Sequence, residues 1–347
     1  MRLFRRNLHV LGCAGLVLVL LVLSNLRPKQ SSMRHPLDRN RTSQDTALSR
    51  TSFNGLDFSN HQETAKPSLW AVLSTPTVPR YSIVYKEYGQ LGNAMFQYAS
   101  IMGVAFMNNR LPLALKSTQL LNVFKISHVL RKNFIFQSCH RIHESAYAKY
   151  HPEFEHLPER DICLNGFFQS YKYFHKYAKQ IKREFEFLDA IQDQARDMLN
   201  SLKISLVDRK LIGVHVRRGD KLDKKHRDQG ECVAPETYFQ KAFRWMRKHH
   251  GNVTFLVATD DVKWCKYVFS KENDVIVLPP ANGPLHMCLL SMCHHVIMSV
   301  GTFGWWIGWL SGGDVIYYKH QVREGSVNSK GFNISDFALP SWIGIGD

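Results

Sequence analysis

Two adjacent arginines, Arg217 and Arg218, follow an apolar run that ends at Val216. The run is typical of a buried strand, and open α/β sheets bind ligands at the carboxyl ends of their strands. Two guanidinium groups in that position can pair with the oxygens of a diphosphate. Asp220 follows closely enough to act as a general base or to hold Arg217 in place. A salt-bridged surface turn would show the same residues, so the segment alone leaves both interpretations open.

Three further loops at predicted strand ends carry groups that suit a nucleotide. Residues 301–304, Gly-Thr-Phe-Gly, precede a tryptophan-rich helix. They offer a hydroxyl and backbone N–H groups to an anion, although such a turn can equally be a simple N-cap. Asp260 and Asp261 could bind a purine edge or a ribose, or cap the following helix, and for Asp261 we favour the cap. Residues 89–93 form a glycine-containing loop after the first strand.

The pattern of acidic residues does not favour a metal ion. Metal-dependent sugar-nucleotide transferases commonly use an Asp-x-Asp pair, which the sequence lacks, and an arginine pair can neutralise a diphosphate by itself. Cys288, Cys293, His294 and His295 could be read as a zinc cluster, but their apolar surroundings favour buried thiols. We therefore expect no metal and no other cofactor.

The elements that position these loops follow from the hydrophobic pattern. Strands are predicted at residues 82–85, 111–115, 211–216, 253–258, 275–278, 295–299 and 315–318. Helices are predicted at residues 94–107, 171–185, 190–202, 235–249, 262–269, 285–292 and 305–310. The strand-helix alternation predicts a parallel, doubly wound sheet. Residues 124–160 show no clear pattern and are left unassigned.

The amino terminus predicts a membrane anchor. Three arginines within residues 1–6, the predicted cytoplasmic tail, precede an uncharged stretch at residues 7–26 that can just cross a bilayer. Positive charge before the span directs the rest of the chain into the lumen. A cleaved signal peptide is the alternative, but no Ala-x-Ala-like site follows the apolar run. Residues 27–80 are polar and rich in Ser, Thr, Asn and Pro, which predicts a flexible stem.

Lumenal placement makes other patterns informative. Asn40, Asn252 and Asn333 each begin an Asn-x-Ser/Thr tripeptide, which predicts N-glycosylation. Six cysteines follow the predicted span, an even number that permits disulfides, but their spacing selects no pairing. The 45 Lys and Arg residues against 29 Asp and Glu give a net charge of +16, which suggests an anionic ligand. Because these charges are spread along the chain without an RNA-binding signature, nucleic acid is not an expected partner.

Taken together, the loops resemble the galactoside α-1,2-fucosyltransferase family. The similarity covers about residues 81–347, and an anchor and stem are also typical of that family. Its motifs occur in the family's order, as Gly89-x-x-Gly92-Asn93-x-x-Phe96-x-Tyr98-Ala99, Gly213-Val-His215-Val-Arg217-Arg218-Gly-Asp220, Thr259-Asp260-Asp261-x-x-Trp264-Cys265 and Gly301-Thr302-Phe303-Gly304-Trp305-Trp306. The second motif is shared with other GDP-fucose-dependent transferases, so it bears on the donor more than on the acceptor.

The resemblance implies an α/β fold with two Rossmann-like lobes of GT-B type, preceded by the transmembrane anchor and stem. Residues 81–205 would form the acceptor-side lobe, and residues 206–347 would bind GDP-fucose. The implied reaction transfers L-fucose from GDP-β-L-fucose to the 2-OH of a terminal β-galactose on glycans, with inversion. The implied location is the Golgi membrane, with a lumenal catalytic part.

Roles for single residues also follow from the resemblance. Arg217 and Arg218 would face the diphosphate and, with Asp220, form the catalytic set, because charge builds on the leaving phosphate. His215 would support the nucleotide. The other donor-binding residues would be Asp260 near guanine, Thr302 and Phe303 at the phosphate and base, and Asn93 from the facing lobe.

Two other classes of protein compete with this interpretation. A Golgi sulfotransferase would also be anchored and basic, but it requires a lysine in its phosphate loop, and residues 89–93 contain no basic residue. A catalytically inactive lumenal glycan-binding protein is disfavoured by the intact Arg217 and Thr302. The acceptor sugar leaves no recognisable motif. The aromatic residues that could stack on a sugar, or equally form core, are Tyr171, Tyr173, Phe174, Trp305, Trp306 and Trp309.

Overall fold

The computed structural model of the chain describes residues 79–129, 139–204 and 208–347. The predicted cytoplasmic tail, the predicted membrane span, nearly all of the stem and Asn40 lie outside these residues. Among the described residues, no helix combines the length and the apolar character needed to cross a bilayer. Two parallel sheets, one of four strands and one of six, organise this part of the chain.

The amino-terminal sheet has the strand order β2-β1-β4-β3, and every neighbouring pair is parallel. Its strands are β1 (Ser82–Tyr85), β2 (Leu111–Leu113), β3 (His140–His143) and β4 (Ile162–Asn165). The central strands β1 and β4 are apolar and mostly buried, as expected where both faces of a parallel sheet are covered. Their carboxyl ends lead into the loops that carry residues 86–90 and 166–169.

Helix α1 (Leu91–Met107) follows β1 and is buried along most of its length. Its small and apolar residues on all sides allow neighbouring elements to pack against every face. Two further helices belong to this part of the sequence, α2 (Ala178–Glu184) and α3 (Asp189–Ser201). Short 3₁₀ turns lie at Gln119–Asn122, Pro152–Glu155, Tyr171–Tyr173 and His175–Tyr177.

The carboxyl-terminal sheet has the order β10-β9-β8-β5-β6-β7, again with parallel neighbours throughout. Its strands are β5 (Lys210–Val216), β6 (Val253–Thr259), β7 (Val275–Val277), β8 (His295–Met298), β9 (Val315–Tyr318) and β10 (Ile343–Ile345). The chain runs outward from β5 to β7 and then returns to the other side of β5 as β8. The loops after β5 and β8 therefore leave the sheet at a topological switch point, where open α/β sheets bind ligands.

The helices that connect these strands are α4 (Lys224–Gln229), α5 (Glu236–His250), α6 (Val262–Val268), α7 (Gly283–Ser291), α8 (Thr302–Ser311) and α9 (Ile334–Phe337). Helix α8 follows β8 after a short loop. Its amino terminus therefore lies at the carboxyl end of the sheet, beside the switch point.

An aromatic cluster joins the two halves of the molecule. Phe96 on α1 contacts Trp305 and Trp306 on α8, with ring centroids 4.5 and 5.1 Å apart. The Trp306 Nε1–H donates to the Gly92 carbonyl over 3.0 Å. All six aromatic residues considered above for sugar stacking are buried, namely Tyr171, Tyr173, Phe174, Trp305, Trp306 and Trp309. These residues form core, so any sugar-stacking residue must lie elsewhere.

The structure differs from the predicted elements at several places. The helix predicted at residues 171–185 is replaced by two 3₁₀ turns and α2. Tyr171 and Tyr173 are both buried, and residues two apart point to different sides of an α-helix. Strand β2 ends two residues before its predicted end, and α8 begins three residues before its predicted start. Strands β3 and β4 lie in or just after the unassigned segment.

Elements on each side of the boundary predicted at residue 205 pack against the other half of the molecule. Helix α3, assigned above to the first lobe, packs against α7. The segment before α9 returns to the first half, where Phe332 forms a parallel bridge with Ala148. Lys172 and Asp336 then form an ion pair over 2.6 Å. These contacts fix the spacing between the two sheets.

Candidate active site

A cavity of about 850 Å³ lies between the two sheets at the switch point. Its wall combines the loop after β5, the start of α8 and residues 89–93 from the amino-terminal half. Of the residues predicted to act in catalysis or donor binding, those in the wall are Asn93, Arg217, Asp220, Thr302 and Phe303. The other three, His215, Arg218 and Asp260, lie behind this wall.

Arg217 is fixed in the cavity from two sides. Its backbone N–H donates to Ser299 Oγ over 2.8 Å, which ties the loop after β5 to the loop after β8. Its Nη2 donates to both carboxylate oxygens of Asp220, each at 2.8 Å. Because a guanidinium carries five N–H donors, this pairing leaves donors for an anionic ligand in the cavity.

Arg218 packs behind the cavity wall and does not line the cavity, so its predicted contact with a diphosphate stays a prediction. Its guanidinium carbon lies 3.8 Å from the centre of the Trp264 ring, and its Nε donates to Asp261 over 3.2 Å. Adjacent residues at the end of a strand point to opposite sides. Only one arginine of the pair can therefore face the cavity, and that residue is Arg217.

The two aspartates after β6 hold the arginine loop. Asp261 accepts the backbone N–H of Trp264 over 3.1 Å, which confirms the predicted helix cap. Asp260 accepts the backbone N–H of Arg218 over 2.8 Å. It also lies so close to Gly219 that a Cβ there would come within 2.8 Å of its carboxylate. Asp260 thus fixes the backbone of this loop from behind, and its predicted contact with guanine stays a prediction.

Helix α8 presents its amino terminus to the cavity. Gly301, directly before the helix, has a φ of +87°, a conformation that glycine adopts without strain. The first N–H groups of a helix have no partners within the helix and form the positive end of its dipole. Together with Arg217 on the same wall, this terminus suits an anionic group such as a phosphate.

A hydrogen-bonded chain connects the two sides of the cavity. The Oδ1 of Asn93 accepts from Thr302 Oγ1 over 2.9 Å and from Gln169 Nε2 over 3.1 Å. A Cβ at Gly92 would come within 2.7 Å of the backbone nitrogen of Phe303. Glycine at that position therefore allows the amino-terminal loop to lie directly on the start of α8.

His215 lies under α8, behind the cavity wall. It is buried, and its ring centre lies 5.2 Å from that of Phe303. Burial, with smaller effects of nearby Arg217 and His286, lowers the pKa of His215 to about 3, so the imidazole is neutral at physiological pH. A Cβ at Gly304 would come within 2.6 Å of its Nδ1. His215 therefore supports Phe303 and α8 as an uncharged ring.

The polar residues of the cavity wall that were not predicted include Gln321, Lys221 and Glu231. Gln321 is buried, its Oε1 accepts the Gly301 N–H over 3.4 Å, and its Nε2 has no partner in the described part of the chain. Lys221 and Glu231 form an ion pair in the same wall. Gln321 follows the end of β9, and that position was the signal available in the sequence. Lys221 and Glu231 meet only through the fold.

The cysteines and histidines considered for zinc do not form a cluster. Burial raises the pKa of Cys288 and of Cys293 to about 12, so both are buried thiols. Among the described residues, His250, His295 and Asp314 have side chains close enough together to hold a metal ion. They lie at the amino-terminal edge of the second sheet, opposite the cavity. A disulfide joins Cys139 to Cys163, a pairing that the spacing could not select.

The two predicted glycosylation sites that lie within the described residues are exposed. Asn252 lies in the turn between α5 and β6, and Asn333 precedes α9. The Oδ1 of Asn333 accepts from the backbone and the hydroxyl of Ser335, over 3.0 and 2.9 Å. Both positions can accommodate a glycan on the surface of the fold.

Comparison with known proteins agrees with this geometry. Residues 62–346 match glycosyl transferase family 11. The chain is 31% identical over 287 residues to galactoside α-(1,2)-fucosyltransferase 1 of Rattus norvegicus. This alignment covers 78% of this chain and 76% of the relative. It is 30% identical over 266 residues to the Homo sapiens enzyme of the same name, covering 74% and 73%.

A solved structure of a mutant of Arabidopsis thaliana FUT1 in complex with GDP is also similar, with a TM-score of 0.48 and 14% identity. That likeness covers 75% of this chain and 77% of the other. The sequence relatives support neither a sulfotransferase nor an inactive glycan-binding protein. Because the family match extends over most of the sequence and includes every loop of the cavity, the chain belongs to glycosyl transferase family 11 and is a glycosyltransferase.

Proposed function

We propose that this protein is a galactoside α-1,2-fucosyltransferase, which transfers L-fucose from GDP-β-L-fucose to the 2-OH of a terminal β-galactose. The names of the relatives support the transferred sugar, the linkage and the class of acceptor. The observation that carries the proposal is the wall of the cavity where Arg217 meets the amino terminus of α8. Guanidinium donors and a helix terminus on one wall suit the diphosphate of a sugar nucleotide.

The donor binds mainly through the carboxyl-terminal half in this proposal. Arg217 and the first turn of α8 hold the diphosphate, and the buried Gln321 offers its free Nε2–H groups to the same ligand. Phe303, supported from behind by the neutral His215, contacts the nucleotide. Arg218 and Asp260 act indirectly, because they fix the loop that carries Arg217.

The proposed reaction is an in-line displacement at C1 of fucose. The 2-oxygen of galactose forms a bond to C1 while the bond from C1 to the phosphate oxygen breaks, and GDP leaves with the electron pair. The hydroxyl proton of the acceptor passes to water, and the β-linked donor gives an α-linked product. Arg217 stabilises the charge that builds on the leaving phosphate. Asp220 positions Arg217, since both of its oxygens accept from the same guanidinium nitrogen.

We also propose that the enzyme is a single-pass Golgi membrane protein with its catalytic part in the lumen. The support comes from the arginines and the uncharged stretch within residues 1–26 and from the polar stem after them. The disulfide and the exposed Asn252 and Asn333 fit an oxidising, glycosylating compartment. Asn40 in the stem is the third proposed glycosylation site.

The proposal is tested with the full-length protein in detergent, GDP-fucose and methyl β-D-galactopyranoside. We expect release of GDP together with a fucosylated product, whose α-1,2 linkage is determined by NMR. GDP-mannose serves as the donor control, and methyl β-D-glucopyranoside as the acceptor control. A parent protein that binds GDP but transfers fucose to no β-galactoside would overturn the proposed acceptor, and one that binds no GDP would overturn the donor assignment.

A further inference from the structure

One aromatic side chain faces the cavity from the amino-terminal half. Phe167 lines the cavity and is 36% exposed, although it lies only two residues after the buried strand β4. The described large hydrophobic side chains with this much exposure are Phe167, Leu222, Tyr267 and Val327. Of these, Phe167 belongs to the cavity wall. Ligand cavities are lined largely by hydrophobic and aromatic side chains, so this ring is available to an apolar face of a ligand.

The turn that presents Phe167 is held by a buried carboxyl group. The Oε2 of Glu144 accepts the backbone N–H groups of Phe167 and Phe168, over 2.7 and 2.9 Å. Ser100 on α1 donates to the Phe168 carbonyl over 2.8 Å. Phe168 has a φ of +50°, in the left-handed region that a bulky residue rarely adopts. Such strain persists where the surrounding structure enforces it, and it concentrates at ligand sites.

The surroundings of Phe167 distinguish it from the donor side of the cavity. The Tyr88 ring lies 6.3 Å away on one side. Two residues further along the chain, Gln169 bonds to Asn93, which is in contact with Thr302 at the start of α8. The exposed ring thus lies on the amino-terminal wall of the cavity, which faces Arg217 and α8. Hydrogen bonds from Gln169 through Asn93 to Thr302 connect the two walls.

We propose that Phe167 is the stacking surface for the acceptor sugar, and that Glu144 is the positioning residue that holds it. The proposal rests on the proposed function, since the diphosphate at Arg217 leaves the opposite wall for the acceptor. One face of a β-galactopyranoside presents mainly C–H groups, and an aromatic ring packs against such a face while the hydroxyls remain hydrogen-bonded at its edge.

The first test compares Phe167→Ala, Phe167→Tyr and the parent in steady-state transfer to methyl β-D-galactopyranoside. We expect Phe167→Ala to raise the acceptor KM about tenfold or more, which corresponds to about 1.4 kcal/mol of lost contact. Its GDP affinity and its rate of GDP-fucose hydrolysis should equal those of the parent, and Phe167→Tyr should retain most of the acceptor affinity. Tyr267→Ala is the matched control, because Tyr267 is 81% exposed and lies away from the cavity.

The second test separates positioning from a structural role. Glu144→Ala removes the acceptor of both N–H groups and should raise the acceptor KM as Phe167→Ala does. Glu144→Gln keeps an oxygen at that place and should restore the parental acceptor KM. If Glu144→Ala fails to fold, the Phe167 variants still decide the proposal, because an exposed side chain contributes little core.

The outcomes keep the inference apart from the function on which it rests. A parent enzyme that transfers fucose normally, with an unchanged acceptor KM in Phe167→Ala, would overturn the stacking surface alone. A loss of GDP affinity in Phe167→Ala would mean that the ring stacks on guanine, which also overturns it. If the parent transfers no fucose to a β-galactoside, the proposed function fails first.

Discussion

Replacement of Arg217 by lysine tests the donor wall most directly, because the chain supplies Arg218 as a matched control. Lysine keeps the positive charge but loses the planar fork that can pair with a phosphate while still bonded to Asp220. Loss of a donor to charge that develops in the transition state costs about 2.7–4 kcal/mol. We therefore expect Arg217→Lys to lower kcat/KM by about 10²- to 10³-fold.

The same substitution should change stability little. The Arg217 and Asp220 side chains are 25% and 41% exposed, and exposed ion pairs contribute only about 0–1 kcal/mol. For Arg218→Lys we expect the opposite result. It is 14% exposed and lies on the Trp264 ring, a desolvated cation–π contact of about 1–2 kcal/mol. Arg218→Lys should thus lower the melting temperature and reduce activity only through the loosened loop.

The assay combines GDP binding by calorimetry, kcat/KM for GDP-fucose and thermal unfolding for the parent and both variants. For Arg217→Lys we expect weak GDP binding and a parental melting temperature. For Arg218→Lys we expect parental GDP binding and a lowered melting temperature. The reasoning is refuted if Arg217→Lys binds GDP and turns over like the parent. It is equally refuted if Arg218→Lys loses GDP affinity while its melting temperature stays unchanged, because that would place Arg218 on the ligand.

Four further predictions follow from other parts of the site. Gly92→Ala should abolish activity and lower the melting temperature, because the new Cβ would come within 2.7 Å of the start of α8. Gly251→Ala is the control for backbone strain alone, since Gly251 has a positive φ but a Cβ there would have no atom within 4 Å. Gln321→Met keeps the size but removes the free Nε2–H donors, so GDP affinity should fall about tenfold, as expected for a hydrogen bond to a charged group; an unchanged affinity would remove Gln321 from the donor site. Activity should persist in EDTA, since Arg217 and the α8 terminus neutralise the diphosphate; a loss that Mn²⁺ restores would contradict this. Burial raises the pKa of Glu144 to about 8, so the stability that this group contributes is fully present below about pH 4.5 and is lost as the pH rises through 8. Urea unfolding from pH 5 to 9 should therefore show a decline in the free energy of unfolding, and Glu144→Gln should flatten it. An unchanged slope in the variant would show that the carboxyl group does not titrate in this range.

The sequence by itself determined the elements whose pattern is local. The apolar run before Arg217 and the alternation after it predicted the strands β5, β6, β8 and β9, because a fully buried parallel strand must be continuously apolar. The same reasoning placed the ligand loops at strand ends, since that rule depends on chain direction alone. The motifs of these loops then indicated the family that the comparisons establish.

The tertiary structure decided which residue of each pair reaches the cavity. Arg217 and Arg218 are chemically identical and point to opposite sides after β5; the position of Trp264 shows that Arg218 packs behind the loop, while Arg217 lines the cavity. Asp260 likewise turned out to brace the loop from behind. Phe167 was not predicted at all, because its exposure depends on Glu144 and Ser100, which are distant in sequence. A local pattern separates two neighbouring side chains, but packing over the whole fold decides which of them reaches the cavity and which distant residues pair.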